Sequence, residues 1–411
     1  MTDKPSDAVS WRIQGAVYGI GTFSTSVFYI GSVVTPLYAM TMNPSPLLFG
    51  VVFSIAHVLP LLFSIHAGAM MDRFGARRVL LIFSVIGALL PLLYPLAPGI
   101  WALILLQSVF GILESIGWIG AQTMIGQYMH GKTFYAGRLS LAVRIGQFAA
   151  PPMAGVAWDL FGVWGAYGMM ALWASGTIVS VLLLPSHASH STAQPHSPSA
   201  KSKFRALLPN LSDYITAFSL LGAPAVALVV LLGAMMHLGN AVQNSFYVAW
   251  LDEMGITGTA IGLLSPASAI AAALVSLLTA KLVRYISGFW IMLLSLWTAI
   301  VFLCITPLLA TYVMLQIAMF LRSAANGLAQ PLVITLVLRG AGKANQGKAI
   351  GLRGTANRVA SIVSPLAMGA IAEAVGLEMS FYVVGIFATL VMAAIAVYLW
   401  RRPEIARAGE N

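Results

Sequence analysis

Four charged residues stand inside long apolar runs of this chain: Glu114, Arg144, Arg322 and Arg358. A charge in such surroundings is costly unless it faces water or a partner, which marks these positions as candidates for function. The chemistry they offer is recognition rather than bond-making. A guanidinium presents a planar fork of donors matched to carboxylate or phosphate, and a carboxyl group either pairs with a base or exchanges a proton. Arg322 lies about ten residues into its run, near mid-membrane at 1.5 Å of rise per residue. Arg144 and Arg358 lie one to two turns from the ends of theirs, where they either face a cavity or snorkel to acids and carbonyls. Glu114 sits midway along its run and either neutralises one of these arginines or carries a proton. Arginines outnumber acids in these interiors, so an anionic or zwitterionic solute is easier to accommodate than a cation. Pairing of Glu114 with Arg322 would remove most of that argument.

Polar residues gather near the same depth. Ser24, Thr25 and Tyr29 fall in one run, and His237, Asn240, Gln243, Asn244 and Tyr247 in another. Asn240, Asn244 and Tyr247 recur at helical spacing, which predicts one polar face that must find partners or water. The expected use is cavity lining; hydrogen bonding between helices is the alternative. His237 could titrate near neutral pH or be structural.

The elements that must position these residues follow from composition. Of 411 residues, 59% are hydrophobic and 8% charged, against roughly 25% charged in soluble domains. The apolar runs, of about 20 residues each, are long enough to span a bilayer. Twelve spans are expected, roughly 12–36, 47–70, 79–97, 100–127, 138–161, 164–184, 223–249, 259–282, 288–308, 312–338, 350–374 and 378–400. The polar start, Met1 to Trp11, followed by a run long enough to remain as a helix, predicts no cleaved signal. The single cysteine, Cys304, excludes a disulfide framework. The net charge of +10 does not imply nucleic acid. Its carriers lie between apolar runs, where anionic headgroups are the natural partners.

Of the 22 lysines and arginines, only Arg144, Arg322 and Arg358 fall well inside spans; the others sit at the termini or in alternate loops, all on one side. The opposite loops carry Asp252, Glu253 and Glu378 instead. Both termini are therefore expected in the cytoplasm. A polar tract from Pro185 to about Leu221 reads as a linker between halves 1–184 and 222–411. His187, His190 and His196 in it are expected to be solvated, with metal binding the weaker alternative. The halves repeat: Gly15–Ile30 aligns without gaps on Gly233–Val248, and Ala142–Asp159 on Ala356–Glu373. The second pair sets Arg144 against Arg358, Pro151 against Pro365 and Gly155 against Gly369, with an acid closing each.

Between spans 2 and 3 the chain reads G-A-M-M-D-R-F-G-A-R-R, from Gly68 to Arg78. Gly68 allows close helix approach, and Asp72 places an anion where helix N-termini are partly positive. Gly75 permits a tight turn, while Arg73, Arg77 and Arg78 hold the turn on the positive side. This stretch resembles the signature loop of the major facilitator superfamily. Its repeat counterpart, Ala280–Gly288, has lost the acid, with Arg284 in its place. Span 5 carries Gly146-x-x-x-Ala150-Pro151-x-x-Ala154-Gly155, similar to the family's antiporter motif with alanine at two glycine positions. Span 4 has Gln107 where the family's drug/proton antiporters place an arginine; the related site in span 10 is Arg322.

The resemblance implies an all-α membrane protein of two pseudo-symmetric six-helix bundles. Solute would bind near the midplane, and rocking of the halves would give alternating access. Candidate binding residues are Arg322, Glu114, Tyr29, Asn240, Gln243, Asn244 and Tyr247. Candidate gating residues are Gly68, Asp72, Arg73, Gly75, Arg77, Arg78, Arg144, Pro151, Gly155, Arg358 and Pro365. The expected activity is secondary transport of a small organic anion or zwitterion, leaning to export by antiport, driven by a proton or counter-solute gradient. A multidrug/proton antiporter for lipophilic cations, with Glu114 as the acid, is the alternative. No cofactor, metal or nucleic acid is expected, and a monomer in the bacterial inner membrane is. No nucleotide-binding G-x-x-x-x-G-K-[ST] loop occurs. No nucleophile constellation supports an enzyme either.

Overall fold

The computed structural model describes residues 9–129, 133–185, 218–341 and 346–407. The proposed linker tract and its three histidines lie almost wholly outside these residues. Everything described is helix or short connection. In hydrocarbon the backbone must satisfy its own hydrogen bonds, and a helix does so within one segment.

Span 1 is Trp11–Thr41, span 2 Pro46–Phe74, span 3 Ala76–Leu89 continued by a 3-10 segment Leu90–Leu96, and span 4 Ile100–Met129. Spans 5 and 6 form one run, Thr133–Leu183, broken at Gly162. Span 7 is split into Pro224–Gln243 and Phe246–Glu253. Span 8 is Gly258–Ser276 with a short turn Thr279–Leu282, and span 9 is Gly288–Cys304. Spans 10, 11 and 12 are Tyr312–Ala341, Gln346–Val375 and Leu377–Arg401. Ten helices among the described residues are long and apolar enough to cross a membrane; one of them holds spans 5 and 6, and the shorter helix Gly288–Cys304 supplies span 9. The corner at Gly162 (φ 61°) recurs at Gly376 (φ 88°) between spans 11 and 12. Only glycine takes such positive φ without a Cβ penalty.

The hinge between spans 2 and 3 is tighter than its charges imply. Span 2 runs through Arg73 to Phe74, Gly75 alone departs from helix with φ 85°, and span 3 begins at Ala76.

Span 1 packs on span 5 and span 2 on span 4; in the second half span 7 packs on span 11 and span 8 on span 10. The halves meet where span 2 packs on span 11 and span 5 on span 8. Both seams are made by glycine. A Cβ on Gly262 would lie 2.5 Å from the Pro151 carbonyl oxygen, and one on Gly369 would lie 2.5 Å from that of Pro46. Gly155 and Gly50 press still closer, onto the carbonyls of Gly258 and Pro365. Small residues let backbones approach in this way.

The apolar core is divided unequally. One cluster joins both halves at the end away from the arginine-rich loops, from Val34 and Phe49 through Phe246 and Leu251 to Met368 and Phe381. At the basic end each half has a separate cluster, one around Met71, Leu80 and Met124, the other around Met292, Leu336 and Met392. The bundle is therefore closed at its acidic end and parted at its basic end.

Candidate functional site

Midway along the spans the two halves bring charged and polar side chains together. Gly111 of span 4 presses onto the Ala56 carbonyl of span 2 where no side chain would fit. That contact seats span 4 against span 2 about one turn before Glu114 and Ser115. From the other half, Arg358 Nη2 donates to Ser115 Oγ at 3.2 Å. Arg358 is also within electrostatic range of Glu114 and His57. His57 interacts with His237 across the halves, and His237 with Arg353. Asn357 Oδ1 is buried without a hydrogen-bond partner among the described residues. Ser54 Oγ to the Ile362 carbonyl, at 2.7 Å, and Ser364 Oγ to the Leu238 carbonyl, at 3.0 Å, pin span 11 in this register.

The bases of this cluster come mainly from the second half and its carboxylate from the first. Glu114 and Arg358 interact without a direct ion pair, so each retains hydrogen-bonding capacity. Tyr29 extends the site on the amino-terminal side, in range of Glu114 and Arg144. Arg144 is exposed.

A second, small space lies above, toward the closed end. Gln243, Asn244 and Tyr247 of span 7 line it with Ser32 of span 1, Ser265 of span 8 and Met319 of span 10. Here the structure differs from the sequence expectation. Span 7 does not present Asn240, Asn244 and Tyr247 along one continuous face, because the helix breaks at Asn244–Ser245. Ser245 Oγ donates to the Ala241 carbonyl at 2.7 Å and competes with the helical ladder there. Gln243 Nε2 reaches Met319 Sδ at 3.3 Å.

Arg322 is 3% exposed and turned into the carboxy-terminal half. Its Nη2 donates to Asn240 Oδ1 at 3.2 Å, and its Nε has no partner among the described residues. It lies in range of Tyr247, which lines the polar space, and of Cys304. Pro151, Gly155 and Pro365 lie at the seams of the closed end. In the hinge, Arg73 stacks over Phe74 at 5.2 Å, Arg78 is exposed, and Arg77 Nε is buried without a partner among the described residues. Gly68 and Asp72 belong to the helix of span 2, and the surroundings of both lie outside what is described. Sequence reasoning passed over His57, Arg353 and Asn357. A histidine within span 2 and an arginine near the start of span 11 were the available signals.

A family model described as Major Facilitator Superfamily matches residues 17–236 and 229–410. The chain belongs to the major facilitator superfamily. It is a secondary transporter, of a family that is not enzymatic. The multidrug resistance protein MdtG of Citrobacter koseri is 23% identical over 412 residues, 96% of each chain. The enterobactin exporter EntS of Escherichia coli is 23% identical over 359 residues, 83% of this chain and 82% of that one. Among solved structures, a mutant of the peptide transporter POT in complex with sulfate superposes with a TM-score of 0.78 at 15% identity, over 97% of this chain and 96% of that one. A bacterial homologue of the human lysosomal transporter Spinster, inward-facing and occupied, gives 0.72 at 15% identity over 95% and 96%. These likenesses establish the superfamily fold of two six-helix bundles.

Proposed function

We propose that this protein exports a small organic anion or zwitterion across the bacterial inner membrane by antiport, with both termini in the cytoplasm. The observation that carries the reading is the cross-half contact of Arg358 with Ser115, flanked by Arg353, His57 and His237. A solute carboxylate or phosphate would replace Ser115 on the Arg358 fork, and an ammonium group would take Glu114. Binding would thus join a base of one half to an acid of the other and draw the parted basic end together. The parted end faces the cytoplasm in this reading, as loading of an export substrate requires. MdtG and EntS, named for drug resistance and enterobactin export, agree with that direction. The driving gradient is of protons or of a counter-solute.

One observation favours a second reading, a multidrug/proton antiporter. An apolar space inside the amino-terminal half, walled by Val27, Leu80, Phe83, Phe110 and Leu113, has Glu114 as its only charged lining residue. Such a space suits a lipophilic cation. Thermal unfolding of purified protein with carboxylates, phosphates, amino acids and lipophilic ammonium compounds separates the two, because a ligand of the folded state raises the melting temperature. The lead reading expects stabilisation by anions or zwitterions that falls roughly ten-fold or more in apparent affinity in Arg358→Gln, as for a charged hydrogen bond. Stabilisation by cations alone, lost in Glu114→Gln and kept in Arg358→Gln, would replace it with the second.

A further inference from the structure

The acidic end is held by more than apolar packing. Asp159, at the end of span 5, reaches across the seam to the first turn of span 8. Its Oδ1 accepts the Gly258 N–H at 2.8 Å, and its Oδ2 accepts the Thr259 N–H at 2.7 Å and the Thr259 hydroxyl at 2.6 Å. Glu373, at the end of span 11, makes the counterpart contact on the first turn of span 2, where its Oε2 accepts the Leu47 N–H at 3.0 Å. Each acid stands four residues after the glycine of its seam, Gly155 or Gly369, and so on the same helix face. The glycine brings the helix close enough for the carboxylate to reach the neighbouring backbone. Asp159 and Glu373 occupy equivalent places in the internal repeat.

We propose that these contacts are two pseudo-symmetric latches, each a carboxylate of one half capping a helix of the other, and that both release when the cleft opens at the acidic end. The inference concerns the gate and holds for any solute. The first N–H groups of a helix lack intrahelical partners and carry partial positive charge, which favours a carboxylate. Spans 2 and 8 already have their own caps: Ser45 Oγ accepts Leu48 N–H at 3.4 Å and Thr257 Oγ1 accepts Ala260 N–H at 3.3 Å. The foreign acid takes the remaining N–H groups. When a latch opens, both the acid and these N–H groups lie at an exposed helix end where water can replace the lost bonds. Each latch is therefore strong enough to bias the gate and weak enough to be undone. The two are unequal, since Asp159 makes three hydrogen bonds and Glu373 one.

The test measures opening at the acidic end in full-length protein in lipid nanodiscs. Spin labels go on Leu96→Cys and Leu308→Cys, exposed near the acidic ends of spans 3 and 9, in a Cys304→Ala background. Loss of a helix cap typically shifts an equilibrium by roughly five-fold, so Asp159→Asn and Glu373→Gln should each favour the long inter-label distance by about that factor, Asp159→Asn more. Contacts so far apart should add, giving about 25-fold in the double variant. An unchanged distance distribution in the double variant, at an unchanged melting temperature, would overturn the proposal. So would a lowered melting temperature with no new long-distance population, which would make the acids simple structural caps. Should the double variant not fold, the single variants decide by the same criteria.

Discussion

Arg358 and Arg322 are both charges within apolar spans, yet their surroundings divide them. Arg358 reaches across to Ser115 of the opposite half; Arg322 is buried against Asn240 of its own half with no carboxylate beside it among the described residues. A buried charge without an acid works against folding. Arg322→Met is therefore expected to hold or raise the melting temperature while slowing solute flux in proteoliposomes. A fall in both would make the residue an ordinary part of the fold. That these arginines and Glu114 stand out was legible, because a charge interrupts an apolar run visibly. Their partners were not, because pairing depends on how each helix is rotated. His57 was harder to see, since a lone histidine in a span does not by itself distinguish a site from a structural contact.

Glycines of the same residue type do different work in different elements. A Cβ at Gly111 would strike the Ala56 carbonyl, whereas one at Gly87 would meet nothing within 4 Å. Gly87→Ala should stabilise by up to about 1 kcal/mol, the ordinary helix advantage of alanine. Gly111→Ala should cost about 1–3 kcal/mol, as overpacking does, and reduce transport by displacing Glu114 and Ser115. Thermal unfolding and flux measurements on both variants check the contrast. The break in span 7 belongs to this scale too. No glycine or proline marks Asn244–Ser245, and period alone predicts a continuous polar face. Long apolar helices were readable from length, but a local break stabilised by one serine hydroxyl was not.

For the molecule as a whole, the shared core lies at the acidic end and the cleft opens at the basic end. Arg144 is exposed and lies close to Tyr29 and the central cluster. In a Cys304→Ala background, Arg144→Cys is therefore expected to react with a membrane-impermeant maleimide from the basic side. Labelling should drop several-fold at saturating solute, as the basic end closes. Reaction from the acidic side instead would reverse the assignment of the closed end.

The spans, the internal repeat, the alternation of basic and acidic loops and the family signature at Gly68–Arg78 are all encoded locally. Hydropathy, charge and glycine placement act over one helix length, so the sequence by itself determined a two-half membrane carrier. The closed end, the meeting of Ser115 with Arg358 and the caps from Asp159 and Glu373 were decided only by tertiary structure. One set of helices admits more than one arrangement of rigid halves. The choice between them rests on a few glycine contacts and on hydrogen bonds joining residues from 99 to 326 positions apart.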